Sequence, residues 1–135
     1  MIKNSINIKI GIGEAADRHS ILTIKSIKIV DQKKLSIIIK QCEESANNLH
    51  DIMFLIKNEY HDLLNVNSQL WEVEDKLRKL EAEQRFNDEF VQLARDVYHL
   101  NDRRHFLKCK IDDIVGYKNK EQKEYVKYEK DSSIG

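Results

Sequence analysis

Hydrophobic residues along this chain repeat with two different periods, and the change of period marks the expected elements. Ile6, Ile8, Ile10 and Ile12 alternate with Asn7, Lys9 and Gly11. A period of two in β-branched residues predicts a short N-terminal strand that ends at Gly13. Glu14 then opens "EAADRHSILTIKSIKIV". An acidic residue in the first turn suits a helix start, and this helix is expected to run to about Val30. Its middle is apolar on more than one side (Ile21, Leu22, Ile24, Ile27, Ile29), as in helices packed between others.

From Leu35 the spacing changes to steps of three and four. Leu35, Ile38, Cys42 and Ser45 set the register, which continues through Leu49, Ile52, Ile56, Glu59, Leu63, Val66, Leu70, Val73, Leu77 and Leu80. Between Leu49 and Leu80 only Glu59 breaks the apolar series. A sustained 3.5-residue repeat marks helices that pack like a coiled coil. Asp31 is a good N-cap for this stretch. "SANN" at 45–48 is the expected interruption, because serine and asparagine compete with the helical backbone. The pattern leaves open whether 35–84 is one helix or two. A helix over 48–84 would be roughly 55 Å long. Its outer side carries Glu72–Lys76, Glu74–Arg78 and Asp75–Lys79, spaced i,i+4 in the favourable order.

The chain is expected to turn at 85–87, with Asn87 as a cap and Asp88 and Glu89 in the first turn of a last long helix. That helix should end near Val115, with Gly116 just past it. Its stripe is Leu93, Val97, Leu100, Leu107, Ile111 and Ile114, yet Arg104 sits in the middle and Asn101 lies beside it. The tail from Tyr117 is polar. Within it "EYVKY" at 124–128 alternates enough for a short strand that could pair with the N-terminal one. The expected architecture is mainly α: three to four long antiparallel helices with coiled-coil-like packing and this terminal strand pair. Residues 1–130 would form a single domain and 131–135 a disordered tail.

Composition sharpens this picture. The chain has 135 residues, no proline and four glycines, which favours long uninterrupted helices. Basic and acidic residues number 23 each, so no overall field favours nucleic acid. No stretch approaches the roughly 20 apolar residues of a membrane span. Cys42 and Cys109 form no CxxC pair and suit reduced thiols in a cytoplasmic protein. "GIG" at 11–13 lacks the remainder of a dinucleotide loop or P-loop. The five histidines include no HExxH, and neither metal nor cofactor is expected. No serine or cysteine shows a convincing local base arrangement.

What remains is a set of polar residues on faces that should be apolar: Glu14, Asp17, Arg18 and Lys25 on the first helix; Trp71, Glu74 and Asp75 on the middle one; Tyr98, Asn101, Asp102, Arg104 and Lys108 on the last. Buried charges must find each other, reach water or meet a ligand. One reading is an internal network in which Arg104 forks onto Asp17 or Glu74. The other is a polar pocket in which Arg18, Lys25, Arg104 and Lys108 grip an anion.

The segments "IGEAADRHSILTIK", "LWEVEDKLR", "LARDVYHLNDRR" and "EYVKY", in this order, resemble a bacterial domain family of unknown function. The family pattern is a short strand, a Gly-Glu-x-x-Asp-Lys-x-Thr-Ile-Leu-x-Ile-Lys helix, a Leu-Trp-x-x-Glu-Asp helix, a Val-Tyr-x-x-Asn-Asp-x-Arg helix and a Lys/Tyr-rich end. The resemblance picks out Gly13, Glu14, Asp17, Lys25, Trp71, Glu74, Asp75, Tyr98, Asn101, Asp102, Arg104, Tyr125 and Tyr128. The chain departs from the pattern at Arg18, His19 and Ser20, where lysine, an aliphatic and threonine are usual. The resemblance implies no activity. The expected function is therefore that of a non-enzymatic, oligomeric helical interaction protein, with a dimer as the favoured form. The alternative is a small helical binding protein or enzyme for an anionic metabolite, a sugar phosphate or a carboxylate.

Overall fold

The computed structural model describes residues 1–118 and Glu124. Four helices follow one another: α1 (Ile12–Lys28), α2 (Gln32–Leu49), α3 (Met53–Ala82) and α4 (Asp88–Val115). α3 and α4 form a hairpin, and α1 touches all three other helices. The partners fix the directions. Residues 13 and 17 of α1 meet 112 and 104 of α4, so these two helices are antiparallel. Only residues 29–31 separate α1 from α2, and Thr23 of α1 meets Cys42 of α2 at 3.8 Å, so α2 folds back antiparallel to α1.

Local chemistry sets most of the ends. The Asp31 carboxylate accepts from the Lys34 backbone N–H at 3.0 Å and caps α2, and Asn87 does the same for α4 through the Phe90 N–H at 3.0 Å. Gly116 closes α4 in the left-handed region, at φ 78°. Tyr117 and Gly116 then donate back to the Asp112 and Asp113 carbonyls, the usual way to satisfy a helix's last acceptors. The "SANN" segment stays helical. The break falls at residues 50–52, and α3 bends at Ile56, whose φ of −120° and ψ of 15° leave the helical region.

The expected N-terminal strand is not there. Residues 1–11 carry no regular secondary structure, and Ile6 and Ile8 stand 71% and 64% exposed. An alternating isoleucine run becomes a strand only when another strand takes its backbone groups, and none exists among the described residues. The last residues of that pattern belong instead to α1, which starts two residues before Glu14. Of the expected C-terminal strand at 124–128 only Glu124 is described; its other residues and the tail at 131–135 lie outside the described residues.

The heptad register survives as a pattern of contact. On α2 its positions Leu35, Ile38, Cys42, Ser45 and Leu49 are the only residues of the helix shielded from solvent. On α3 the register positions Ile56, Leu63, Val66, Leu70 and Leu80 are buried. The core lies where α1, α3 and α4 meet: Ala16, Ile56, Leu63, Val66, Leu70, Leu107 and Ile111, with Val97, Leu100 and Phe106 packed against it. Each fully buried Leu or Ile contributes about 1.5–3 kcal/mol. The α4 stripe follows expectation except at its end, where Ile114 is 41% exposed.

Close approach of α1 to α4 depends on Gly13. A Cβ at this position would lie 2.2 Å from the Lys108 carbonyl oxygen, which as backbone cannot move aside. Gly13→Ala should therefore destabilise the fold by about 1–3 kcal/mol or more through overpacking. Urea denaturation would measure this, and an unchanged midpoint would mean that the two helices do not meet here.

Candidate functional site

α1 is joined to α4 by three contacts at one-turn intervals along α4. Asp112, Lys108 and Arg104 are spaced four apart, so they share a face of the helix. Asp112 Oδ1 accepts the Gly13 backbone N–H at 2.8 Å. The residue before α1 is Gly11, which has no side chain to cap it, so a carboxylate 99 residues away satisfies one of the free N–H groups of the first turn. Lys108 Nζ meets Glu14 at 2.6 Å, and Glu14 also holds Arg18 at 3.1 Å. Arg104 then forks onto Asp17: Nε donates to Oδ1 at 2.8 Å and Nη2 to Oδ2 at 2.5 Å.

Asp17 is 1% exposed and stays charged because its acceptors are filled. Beyond the two guanidinium bonds, Asn67 Nδ2 of α3 donates to Oδ1 at 2.9 Å. The second Asn67 proton goes to Ser20 Oγ at 2.7 Å, and Ser20 donates to the Asp17 carbonyl at 2.7 Å. Burial alone would raise the Asp17 pKa. The Arg104 and Asn67 hydrogen bonds and the nearby positive charge of Lys108 outweigh it and hold the carboxyl below its ordinary value. Glu14 follows the same logic: burial pushes up, Lys108 and Arg18 pull down, and the net direction is down.

The structure thus brings Glu14, Asp17, Arg18, Arg104 and Lys108 together and selects Asp17, rather than Glu74, as the partner of Arg104. Lys25 and Trp71 are half-buried on α1 and α3, as are Asn101 and Asp102 on α4. Glu74 and Asp75 lie exposed, with Asp75 paired to Lys79 at 3.3 Å, and Tyr98 is 64% exposed. Tyr125 and Tyr128 lie outside the described residues. Sequence reasoning missed Asn67 and Asp112. Asn67 follows Val66 of the register and looks like an ordinary outward position. Asp112 sits among the acids of a helix end, and nothing in the sequence marks it as the cap of α1.

One local pair was also passed over. His105 Nε2 and Cys109 Sγ, one turn apart on α4, lie 3.7 Å from each other. They line a cleft of about 260 Å³ at the start of α1, together with Gly11, Glu14, Arg18 and Lys108. The i,i+4 spacing of the two residues displays the pair in the sequence. Among the described residues no three His, Cys, Asp or Glu side chains gather as metal ligands, and no helix is long and apolar enough to cross a membrane.

Among the described residues, fold and site together define a bundle of four helices whose central helix, α1, is held by a buried ion-pair network. Set against known protein families, curated proteins and solved structures, the chain matches none.

Two expectations follow. Arg104→Ala strands the buried Asp17 carboxylate and should cost about 3–5 kcal/mol. Asp17→Ala should cost less, about 1–3 kcal/mol, because Arg104 is 30% exposed and can turn to water. Chemical denaturation at pH 7 that gave the reverse order would contradict this account. The native Asp17 pKa lies below the unfolded value of about 3.9. Its contribution is therefore complete above that pH and lost as pH falls through the native pKa, a loss absent from Asp17→Asn.

The second expectation concerns His19. Burial lowers its pKa, and its Nδ1 finds no hydrogen-bond partner among the described residues. Below about pH 6.5 the unfolded chain takes this proton before the native state does, so stability falls with falling pH. His19→Leu should gain stability relative to the parent, and by more at pH 5 than at pH 8. Equal gains at both values would show that the imidazole is not kept neutral by the fold.

Proposed function

We propose that this chain is a non-enzymatic helical interaction protein that works as a homodimer, joined through the projecting end of the α3–α4 hairpin. The observation that carries the reading is the mismatch in helix length. α1 ends at Lys28, whose ammonium meets Glu72 at 2.7 Å, and α3 continues ten residues further to Ala82. That extension is roughly 15 Å long. Along it α3 keeps α4 as its hairpin partner, while α1 has already ended. Its register continues, but of its positions only Leu80 is buried; Val73, Leu77, Phe90 and Leu93 are half-buried, and Phe86 and Val91 at the turn are 55% and 53% exposed. Two helices cover one side of such a stripe, and four complete it.

The occupant fits a second copy of the chain. The extension carries both signs of charge (Glu74, Asp75, Lys76, Arg78, Lys79), so a two-fold arrangement can pair unlike groups. A net charge of zero opposes no self-association. The resemblance to a bacterial domain family of unknown function belongs to the same proposal. Four of the residues on which it rests, Gly13, Glu14, Asp17 and Arg104, join α1 to α4. The other reading, an anionic metabolite gripped between helices, needs cations still open to a guest. Arg104 and Lys108 are engaged by Asp17 and Glu14.

Light scattering after size exclusion tests the proposal. The expected mass is twice 16.0 kDa. Leu77→Lys should shift it to one chain with helical circular dichroism retained. A monomer at several hundred micromolar, the concentration at which a dimer of about 1 μM affinity is saturated, would overturn it.

A further inference from the structure

We infer that Cys109 is a nucleophilic thiol, activated by His105 and modified by small soft electrophiles of the peroxide class in the cleft where α1 begins against the end of α4.

Four observations converge on this thiol. Cys109 Sγ and His105 Nε2 are 3.7 Å apart, within reach for transfer of the thiol proton to the ring. Both side chains are half-buried and line a cleft of about 260 Å³, large enough for a peroxide or a small reagent. The N-terminus of α1, with Gly11 at its mouth, opens onto the same cleft, its positive end met in part by the Asp112 carboxylate through the Gly13 N–H. Lys108 and Arg18 also line it. Cations and helix N-termini are the surroundings that favour thiolate over thiol.

Glu14 and Asp112 offset part of this bias, but with Lys9 the lining carries three cations against two carboxylates. Glu14 is held by Lys108 and Arg18, and Asp112 by the Gly13 N–H. Lys9, Ile10 and Tyr117 also line the cleft. Cys42 provides the contrast within the same chain. Its Sγ lies 3.8 Å from the Thr23 hydroxyl.

The chemistry balances without a cofactor. His105 Nε2, in the tautomer that leaves it unprotonated, takes the proton from Cys109 Sγ. The sulfur attacks one oxygen of hydrogen peroxide, forming S–O and breaking O–O. The departing hydroxide takes the proton from the imidazolium and leaves as water. Cys109 is oxidised to a sulfenic acid and the peroxide is reduced. This modification site is independent of the dimer proposed above, since it sits at the opposite end of α4 from the hairpin turn.

The test is site-resolved alkylation of the full chain with iodoacetamide from pH 5 to 9, read by mass spectrometry, followed by dimedone trapping after hydrogen peroxide. A one-unit fall in thiol pKa gives about tenfold more thiolate at pH 7 and costs roughly threefold in intrinsic nucleophilicity, a net gain of about threefold. Cys109 should therefore react at least about threefold faster than Cys42 and show a midpoint below the roughly 8.5 of a free cysteine. His105→Gln should remove that advantage and raise the midpoint. Dimedone should label Cys42→Ser but not Cys109→Ser. A wild-type midpoint at or above about 8.5 overturns the inference whatever the variants do, and so does a His105→Gln protein with unchanged rate and midpoint.

Discussion

A carboxylate can sit inside a protein as an ion only when its oxygens are filled and its charge is met. Asp17 fulfils both conditions through Arg104 and Asn67, which come from two other helices. The pair is therefore more than a local contact. It fixes the rotation of α1 about its own axis and its height against both α3 and α4. Sliding α1 by one turn would leave Asp17 buried without its fork, at a cost of several kcal/mol. The Glu14–Lys108 and Gly13–Asp112 contacts repeat the same register on the next two turns of α4.

Placing α1 in this way decides what the other helices can do. α1 takes the groove of the α3–α4 hairpin with one side and offers the other to α2. α2 is covered on one side alone, and its outer residues stay in water even where they are Ile37 or Ile39. α1 is also the short member of the group. Where it stops, the hairpin stops being a bundle and becomes two helices with a half-covered seam. The same helix's opposite end opens the cleft beside Cys109. One buried ion pair thus locates both the surface proposed for self-association and the cleft proposed for thiol chemistry, at opposite ends of α4.

Much of the fold was legible in the chain. The caps at Asp31 and Asn87, the end at Gly116, the register on α2 and α3, and the sandwiched character of α1 follow from local preference and periodicity. These depend on neighbours within a turn or two, so the sequence displays them. The presence of Glu14, Asp17, Arg18, Arg104 and Lys108 on apolar faces was legible for the same reason. The failures share one cause. The isoleucine alternation at 6–12 predicted a strand, but strand formation depends on a partner elsewhere. The break between α2 and α3 fell at residues 50–52, past the expected "SANN", because helix–helix packing outweighs a weak local preference.

By itself the sequence determined that this protein would be helical, and it marked a set of polar residues on apolar faces from which Asp17, Arg104, Glu14 and Lys108 come. It could not say that Asp17 rather than Glu74 would receive Arg104. Nor could it show that Asn67 and Asp112, polar residues in ordinary positions, would complete the network. Those choices belong to the tertiary structure, because they depend on how far each helix is rotated and shifted against its neighbours. Periodicity reports the face that a residue occupies. Only the packing of one face against another decides which residue it meets.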